Sequence, residues 1–483
     1  MPKQQSNLIP IEDFNLGGLA HSKWSGVKNS LYKLIGWDLH STPGLLKVAQ
    51  KMTKETSGSP PTEFCKARVN SSNGAQYWGS STSGKIWERP ATGTWRLVHT
   101  VTPAAGEAKI LEMKEYQGYI YVVTESRVHR ILVSEAGDNT WNADLTEDWA
   151  TFDVTDSDLH PMFVHPKTLV LYIGDGNQLA QVDGNTFTAN ALDIKTPLRI
   201  KSLGKIGQDI LLGTYVADTV TQTEIIRWNT YSVSFTTSDT IPEVGINAFL
   251  PADNFVIVQA GNQGNLYYYD GERLEEYLKI PGDYSPTAYG EIYPTAVGNL
   301  GGKILFGFSN GSGNPADQGI YQIARSTRDH PYILDMPYPT SVRSDDALVL
   351  TDTEIGGILV VGTDVYASYK NGANIGIDKL DYSNKLEVAY LETRVMIVNR
   401  EQFSTFSKFV VAYADMPDDT AIEIQYEKNY ADEFTGTTEK TDTSKNIVFA
   451  EEGVDATTLR LKILPTVNDN DAPTIESAGV FVS

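Results

Sequence analysis

The sequence predicts an all-β chain: an irregular β-propeller of about seven blades, with roughly six to eight as the bounds, followed by a C-terminal β-sandwich. Three observations carry this prediction. Hairpin-like stretches of one design recur at intervals of roughly 40 to 55 residues, the range of propeller blades. Their central strands, such as "LVLYI", "DILLG", "FVIVQ" and "KILFGF", are near-continuous apolar runs, as expected of strands buried on both faces. After about Lys385 the strands come closer together, and several alternate apolar and polar residues, as in "TAIEIQY".

Taken in order, the chain divides into an N-terminal arm and linker at 1–61, a propeller at 62–385 and a sandwich at 386–483, with the second boundary between Asp378 and Val388. In the arm, Trp24, Val27, Leu31, Leu34 and Ile35 fall at helical spacing, which predicts a short amphipathic helix that Gly26 weakens. The polar stretch "TKETSGSPPTE" then reads as loop. The repeats follow, with first strands expected near Gln76, Tyr119, Leu169, Ile210, Phe255, Ile304 and Ile358. One copy, "VQAGNQGNLYYYDGERL" at 258–274, spells a strand, a glycine turn, a second strand, an Asp-Gly turn and the start of a third. A four-stranded sheet of this kind cannot cover both its faces alone. Packing several radially buries both faces of each and leaves only short protected edges. No segment of the repeat region sustains a helical period.

Composition narrows the function. The 41% hydrophobic and 21% charged content is that of an ordinary globular protein, and no apolar run approaches the roughly 20 residues of a spanning helix. The N-terminus lacks the apolar core of a signal peptide, so export by that route is not expected. The single cysteine, Cys65, has no intrachain partner, which fits a reducing cytosol, and it is expected to be a small core hydrophobe. A formal charge of -22 opposes nonspecific adhesion to nucleic acid, whose phosphates are held by Lys and Arg.

Motifs for chemistry are scarce. The sequence has no G-x-S-x-G elbow, H-E-x-x-H pair, Walker loop or C-x-x-C. The histidines are His21, His40, His99, His129, His160, His165 and His330; the closest pair, in "HPMFVHP", has a spacing that suits neither one helix face nor one strand face, so loop positions are favoured over a metal site. The Asp-Gly pairs at Asp175, Asp183 and Asp270 read as tight turns. The run at Asp469, Asn470 and Asp471 has oxygen-rich spacing similar to the calcium linkers of cadherins, but a polar turn between the last two strands is favoured. Tyr267, Tyr268 and Tyr269 alternate across a strand and are assigned to core packing before a sugar-binding surface. No residue is assigned as catalytic, cofactor-binding or metal-binding.

The opening "FNLGGLAHSKWSGVKNSLYKLIGWDLHSTPGLLK", the irregular propeller, and the ending "YLETRVMIVNREQFSTFSKFVVAYADMPDDTAIEIQYEKN" with "LRLKILPTVNDNDAPTIESAGVFV" together resemble virion proteins of tailed bacteriophages. The chain looks most similar to the nozzle or tail-tip propellers of short-tailed phages, which form a ring beneath an adaptor around the DNA exit channel. Its blades are more compact than those of the nozzle proteins, which carry insertions. The resemblance implies a non-enzymatic virion part made in the host cytoplasm, working as a homo-oligomeric ring. Its neighbours would be adaptor, fibre or tail-tip proteins; DNA would pass without sequence-specific binding, and no membrane insertion or cofactor is implied. The N-terminal arm is then expected to dock a neighbouring subunit, folding on contact. Two alternatives stay open: a host-glycan-binding adhesin or receptor-binding tail module, and a glycan-acting propeller enzyme with carboxylates converging at one end of the channel.

Overall fold

The runs of β-branched and aromatic residues pair, in order, into antiparallel four-stranded sheets. The structure is a computed structural model that describes residues 7–102, 109–136, 141–154, 158–216, 222–312, 317–342, 353–397, 404–431, 433–436 and 446–482. Six sheets are self-contained blades, at 65–100, 112–151, 162–193, 199–241, 246–279 and 353–385, the last completed by the N-terminal strand Gln50–Lys54. A sheet of the same design at 297–338 lies between the fifth and the last. Its Phe306 and Phe308 pack with Leu250, Ile257 and Leu266 on one side, and its Leu305 packs with Ile355 and Ile358 on the other. This sheet completes the ring, but it does not end at its outer strand. Ile333–Tyr338 pairs in parallel with Leu31–Ile35, which carries the sheet into the C-terminal sandwich.

In each blade the first strand is innermost: Cys65–Asn70 meets both Glu112–Tyr116 and Thr353–Val361 of the adjacent blades. The expected first strands prove, in six of seven repeats, to be second strands, for example Gln76–Ser80, Tyr119–Val123 and Asp209–Tyr215. Second strands are covered by neighbours on both faces and so carry the strongest apolar runs. In the 258–274 stretch, Val256–Ala260 is buried throughout and pairs with Asn265–Tyr269 across a turn in which Gly261 and Gly264 take the positive φ that glycine tolerates. Segments 217–221 and 313–316, inside two of the expected hairpins, lie outside the described residues.

The C-terminal part of the chain is a two-sheet sandwich. Phe406, Phe409 and Val411 of Ser404–Asp415 and Ile475 and Val480 of Thr474–Val482 face Ile422, Ile424, Leu459, Leu461 and Ile463 of the opposite sheet. The N-terminal arm is part of it. Asn7–Ile11 and Leu46–Val48 both pair with Thr474–Val482, and Leu31–Ile35 pairs with Tyr390–Thr393.

Two expectations for the arm are therefore corrected. The helix predicted from Trp24 to Ile35 is absent; Leu31, Leu34 and Ile35 are buried on a strand between two sheets, whereas Trp24 and Val27 are exposed. Two open strand edges offered backbone partners, and pairing with them overrode the 3.6-residue spacing. Nor does the arm wait for a neighbouring subunit in order to fold, since its strands are already paired within the chain.

Candidate functional site

The inner strands leave an axial space, and one of its mouths opens into a cavity of about 590 Å³. Its wall is assembled from the starts of the inner strands: Lys66 from the first blade, Glu112 from the second, His160 and Pro161 ahead of the third, Lys201 from the fourth, Glu291 and Tyr293 ahead of the sheet at 297–338, and Glu354 from the last. Phe64, Ile110, Leu111 and Pro294 add apolar surface. An innermost strand has no strand on its axial side, so charged side chains can stand there without breaking a hydrophobic contact.

Most of these charges are paired. Lys201 Nζ lies 2.6 Å from Glu291, Lys370 Nζ 2.8 Å from Glu354, and Lys109 Nζ 2.9 Å from Asp158. Glu63 accepts from Lys85 and from Ser80. Tyr293 donates its hydroxyl to Glu354 at 2.8 Å, and burial together with the Glu354 and Glu291 carboxylates pushes its phenol up.

Lys66 differs from the other cavity lysines. Its ammonium stands 3.6 Å over the Tyr293 ring, and no carboxylate among the described residues is within ion-pair distance. Burial pulls its pKa below the usual lysine range, offset in part by Glu291 and Glu354. Two residues on, on the same face of the strand, Arg68 donates to the carbonyls of Ile358 at 3.0 Å and Val297 at 3.2 Å, bridging three blades. The second blade presents the matching pair. Glu112 accepts the Met162 N–H at 2.9 Å, and burial pushes its pKa up against the pull of Lys114 and Arg68. Lys114 is lowered by burial, with Glu112 opposing.

The residues singled out in the sequence lie elsewhere or serve structure. Cys65 is fully buried, its thiol pushed up by burial, among Trp78, Trp87 and Tyr366. His160 borders the cavity, but its ring nitrogens are engaged by the carbonyls of Gly174 at 2.7 Å and Glu125 at 2.9 Å, and the ring stacks on Phe152. His165 bonds to Gln208 O and takes the Thr168 N–H, so the two histidines serve separate blade junctions. Asp175 starts a turn and also accepts the N–H groups of Asp153 and Val154. Asp183 and Asp270 precede Gly184 and Gly271, both at positive φ. Asp469 sits at φ 51 in a turn closed by reciprocal Asn468 and Asp471 backbone bonds. Tyr267 and Tyr269 are buried, and Tyr268 packs on Phe255. Among the described residues, no group of three His, Cys, Asp or Glu side chains is placed to hold a metal ion.

Sequence reasoning missed the cavity because its residues are spread from Glu63 to Ile375. A signal was present: "CKARVN" and "EMKEY" each put two charged residues on one strand face inside a blade.

No protein-family model and no curated protein matches the chain. Among solved structures, the extracellular domain of a putative hybrid two-component system from B. thetaiotaomicron aligns at 14% identity and TM-score 0.47, over 74% of this chain and 42% of its own. This chain thus spans less than half the length of that one. Virginiamycin B lyase from Staphylococcus aureus aligns at 13% identity and TM-score 0.47, over 68% and 98% of the two chains. The Pan2 WD40 domain of Neurospora crassa aligns at 10% identity and TM-score 0.38, over 70% and 96%. The class that sheets and cavity define is a β-propeller protein joined to a β-sandwich.

Proposed function

We propose that the chain is a non-enzymatic structural component of a bacteriophage tail, acting in a homo-oligomeric ring at the nozzle or tail tip. The observation that carries this reading is the interlacing of the two stretches on which the phage resemblance rests. The opening stretch supplies Leu31–Ile35 and Leu46–Val48, and the ending supplies their partners Tyr390–Thr393 and Thr474–Val482. With Gln50–Lys54 closing the last blade, one segment of chain ties propeller and sandwich together. A part that bears load during assembly and DNA passage gains from such ties, because its halves cannot separate without breaking sheet pairing. The charge of -22 suits a surface past which phosphate must slide rather than stick.

The alternative, a glycan-binding adhesin or receptor-binding tail module, draws on the cavity, whose size falls in the roughly 300–1,000 Å³ range of small-molecule sites. The enzyme reading draws less from it, since Glu291, Glu354 and Asp158 are each held by a lysine. Negative-stain imaging of the purified protein and of candidate particles, with antibody labelling, tests the proposal. Labelled rings at the tail are expected; a monomer with no place in any particle overturns it.

A further inference from the structure

We infer that the loop before Leu31, with Trp24 packed on Tyr430, is the surface that each copy of this chain presents to an acidic face of the next copy in the ring. The inference rests on the ring reading and names the contact that builds it.

Trp24 is 50% exposed and Tyr430 45%, and their ring centroids lie 4.7 Å apart. One residue belongs to the opening loop and the other follows the sandwich strand Ala421–Lys428. Val27, in the same loop as Trp24, is 63% exposed. Trp, Tyr and Arg are the side chains that concentrate binding energy at protein interfaces, and here two such rings are left in water. Neither ring is on a loose segment. The Val395 N–H donates to Lys23 O at 2.9 Å, and Arg394 donates to Gly26 O at 3.2 Å and Ser30 O at 3.3 Å. Asn429 and Tyr430 both take left-handed φ, 52° and 59°, which a bulky side chain rarely adopts. The sandwich holds them there: Asn429 Oδ1 accepts the Thr457 N–H at 2.9 Å, and the Asn429 N–H donates to Thr458 O at 3.1 Å. A strained backbone that keeps a ring in solvent, and rings fixed before contact, fit a binding surface, because little ordering is left to be done on association.

Charge selects the occupant. The stretch from Leu19 to Leu31 carries Lys23 and Lys28 and no carboxylate, and Arg394 is bonded to its backbone. Among the described residues, neither Lys28 nor Arg394 has a carboxylate within ion-pair distance. On the Tyr430 side, Glu427 is held by Arg460, and Glu433 is exposed. A cationic, aromatic surface on a chain of net charge -22 is complementary to the rest of that chain's own surface. A closed ring is built by head-to-tail contacts, in which two different patches of each copy meet, and a basic loop against an acidic face is such a pair.

The test is sedimentation of the full chain over a range of concentrations, for the parent, for Trp24→Ser combined with Tyr430→Asn, and for Lys28→Glu. Asn is chosen at 430 because it tolerates the left-handed φ. The parent is expected to assemble, the double variant to need about tenfold or more higher concentration to do so, and Lys28→Glu to weaken assembly in the same direction. A parent that stays monomeric throughout sinks the ring reading and this inference with it. A parent that assembles, with a double variant that assembles equally well, overturns this inference alone and leaves the ring standing. Should the double variant not fold, carbodiimide cross-linking of the unaltered protein decides, with normal and 15N-labelled copies mixed so that links between copies are recognised by mass. Links from Lys23 or Lys28 of one copy to an Asp or Glu of another are expected. Assembled protein whose links between copies involve neither lysine overturns the assignment, and means that the loop faces something other than a second copy.

Discussion

Met52 stands directly opposite Leu380 in the strand pair that joins the N-terminal segment to the last blade, and both side chains are buried. The ring is thus closed by a strand that comes from the far end of the chain, so this seam holds together what sequence proximity does not.

Shortening Met52 should weaken the closure. The side chain packs in a cluster with Leu380, Tyr369 and Ile355. Met52→Ala is expected to cost about 2–4 kcal/mol through lost burial and the cavity left behind. The neighbouring exposed Thr53, changed to Ala, should cost less than about 0.5 kcal/mol. Urea titration of both variants checks the difference, and equal midpoints would show that the seam carries no weight.

The glycine pair of the opening motif makes a second case. A Cβ on Gly17 would fall 2.3 Å from the Asn29 carbonyl carbon and oxygen, and one on Gly18 would fall 2.8 Å from Ile333 Cβ and 2.9 Å from the Leu334 carbonyl. Gly17→Ala must therefore push backbone apart, at an expected cost of about 3 kcal/mol. Gly44 has positive φ but nothing within 4 Å, so Gly44→Ala should lose only about 1 kcal/mol from backbone strain. Thermal melts that rank the two the other way would mean the arm is less tightly seated than described.

How much of this was legible in the sequence follows from where partners lie. Blade strands such as Val256–Ala260 and Asn265–Tyr269 announce themselves, because they pair with near neighbours and are apolar throughout or nearly so. Gln50–Lys54, "QKMTK", has one buried apolar side chain and its partner in the last blade, so nothing local marks it as a strand. Leu31–Ile35 reads as helix for the same reason: its spacing is local, and the edges that claim it, Tyr390–Thr393 and Ile333–Tyr338, are not. The cavity failed to show because each blade contributes only one or two residues to it.

A buried ionic cluster in the sandwich supplies a third prediction. Arg460 lies 2.6 Å from Glu427 and 3.8 Å from Glu392, with all three side chains largely shielded from water. Burial pushes the Glu392 carboxyl up, opposed by Lys33 and Arg460. Arg460→Met removes a cation shared by two buried carboxylates and should cost about 3–5 kcal/mol near neutral pH. Adding Glu427→Gln should recover part of that loss, because one of the stranded charges is then gone. Denaturant titrations of the single and double variants check this, and a double variant less stable than the single would refute it.

The last prediction concerns acid. Asp378 is buried in the last blade, where it accepts the Ser341 N–H at 2.7 Å and the Ser341 hydroxyl at 2.5 Å. Burial nonetheless outweighs these bonds and the pull of Lys54, and its pKa is pushed up to about 6 from the ordinary 3.8. A carboxyl that holds its proton more tightly when folded favours the folded state fully below 3.8, and that contribution is lost as pH rises through about 6. A shift of this size corresponds to roughly 3 kcal/mol between the two limits. Asp378→Asn keeps an oxygen for Ser341 but cannot ionise. It should therefore match the parent at about pH 4 and exceed it by up to about 3 kcal/mol at pH 7. Stability measured by urea titration across this range distinguishes the cases: if the parent and Asp378→Asn curves stay parallel from pH 4 to pH 7, the buried carboxyl is not the group that titrates.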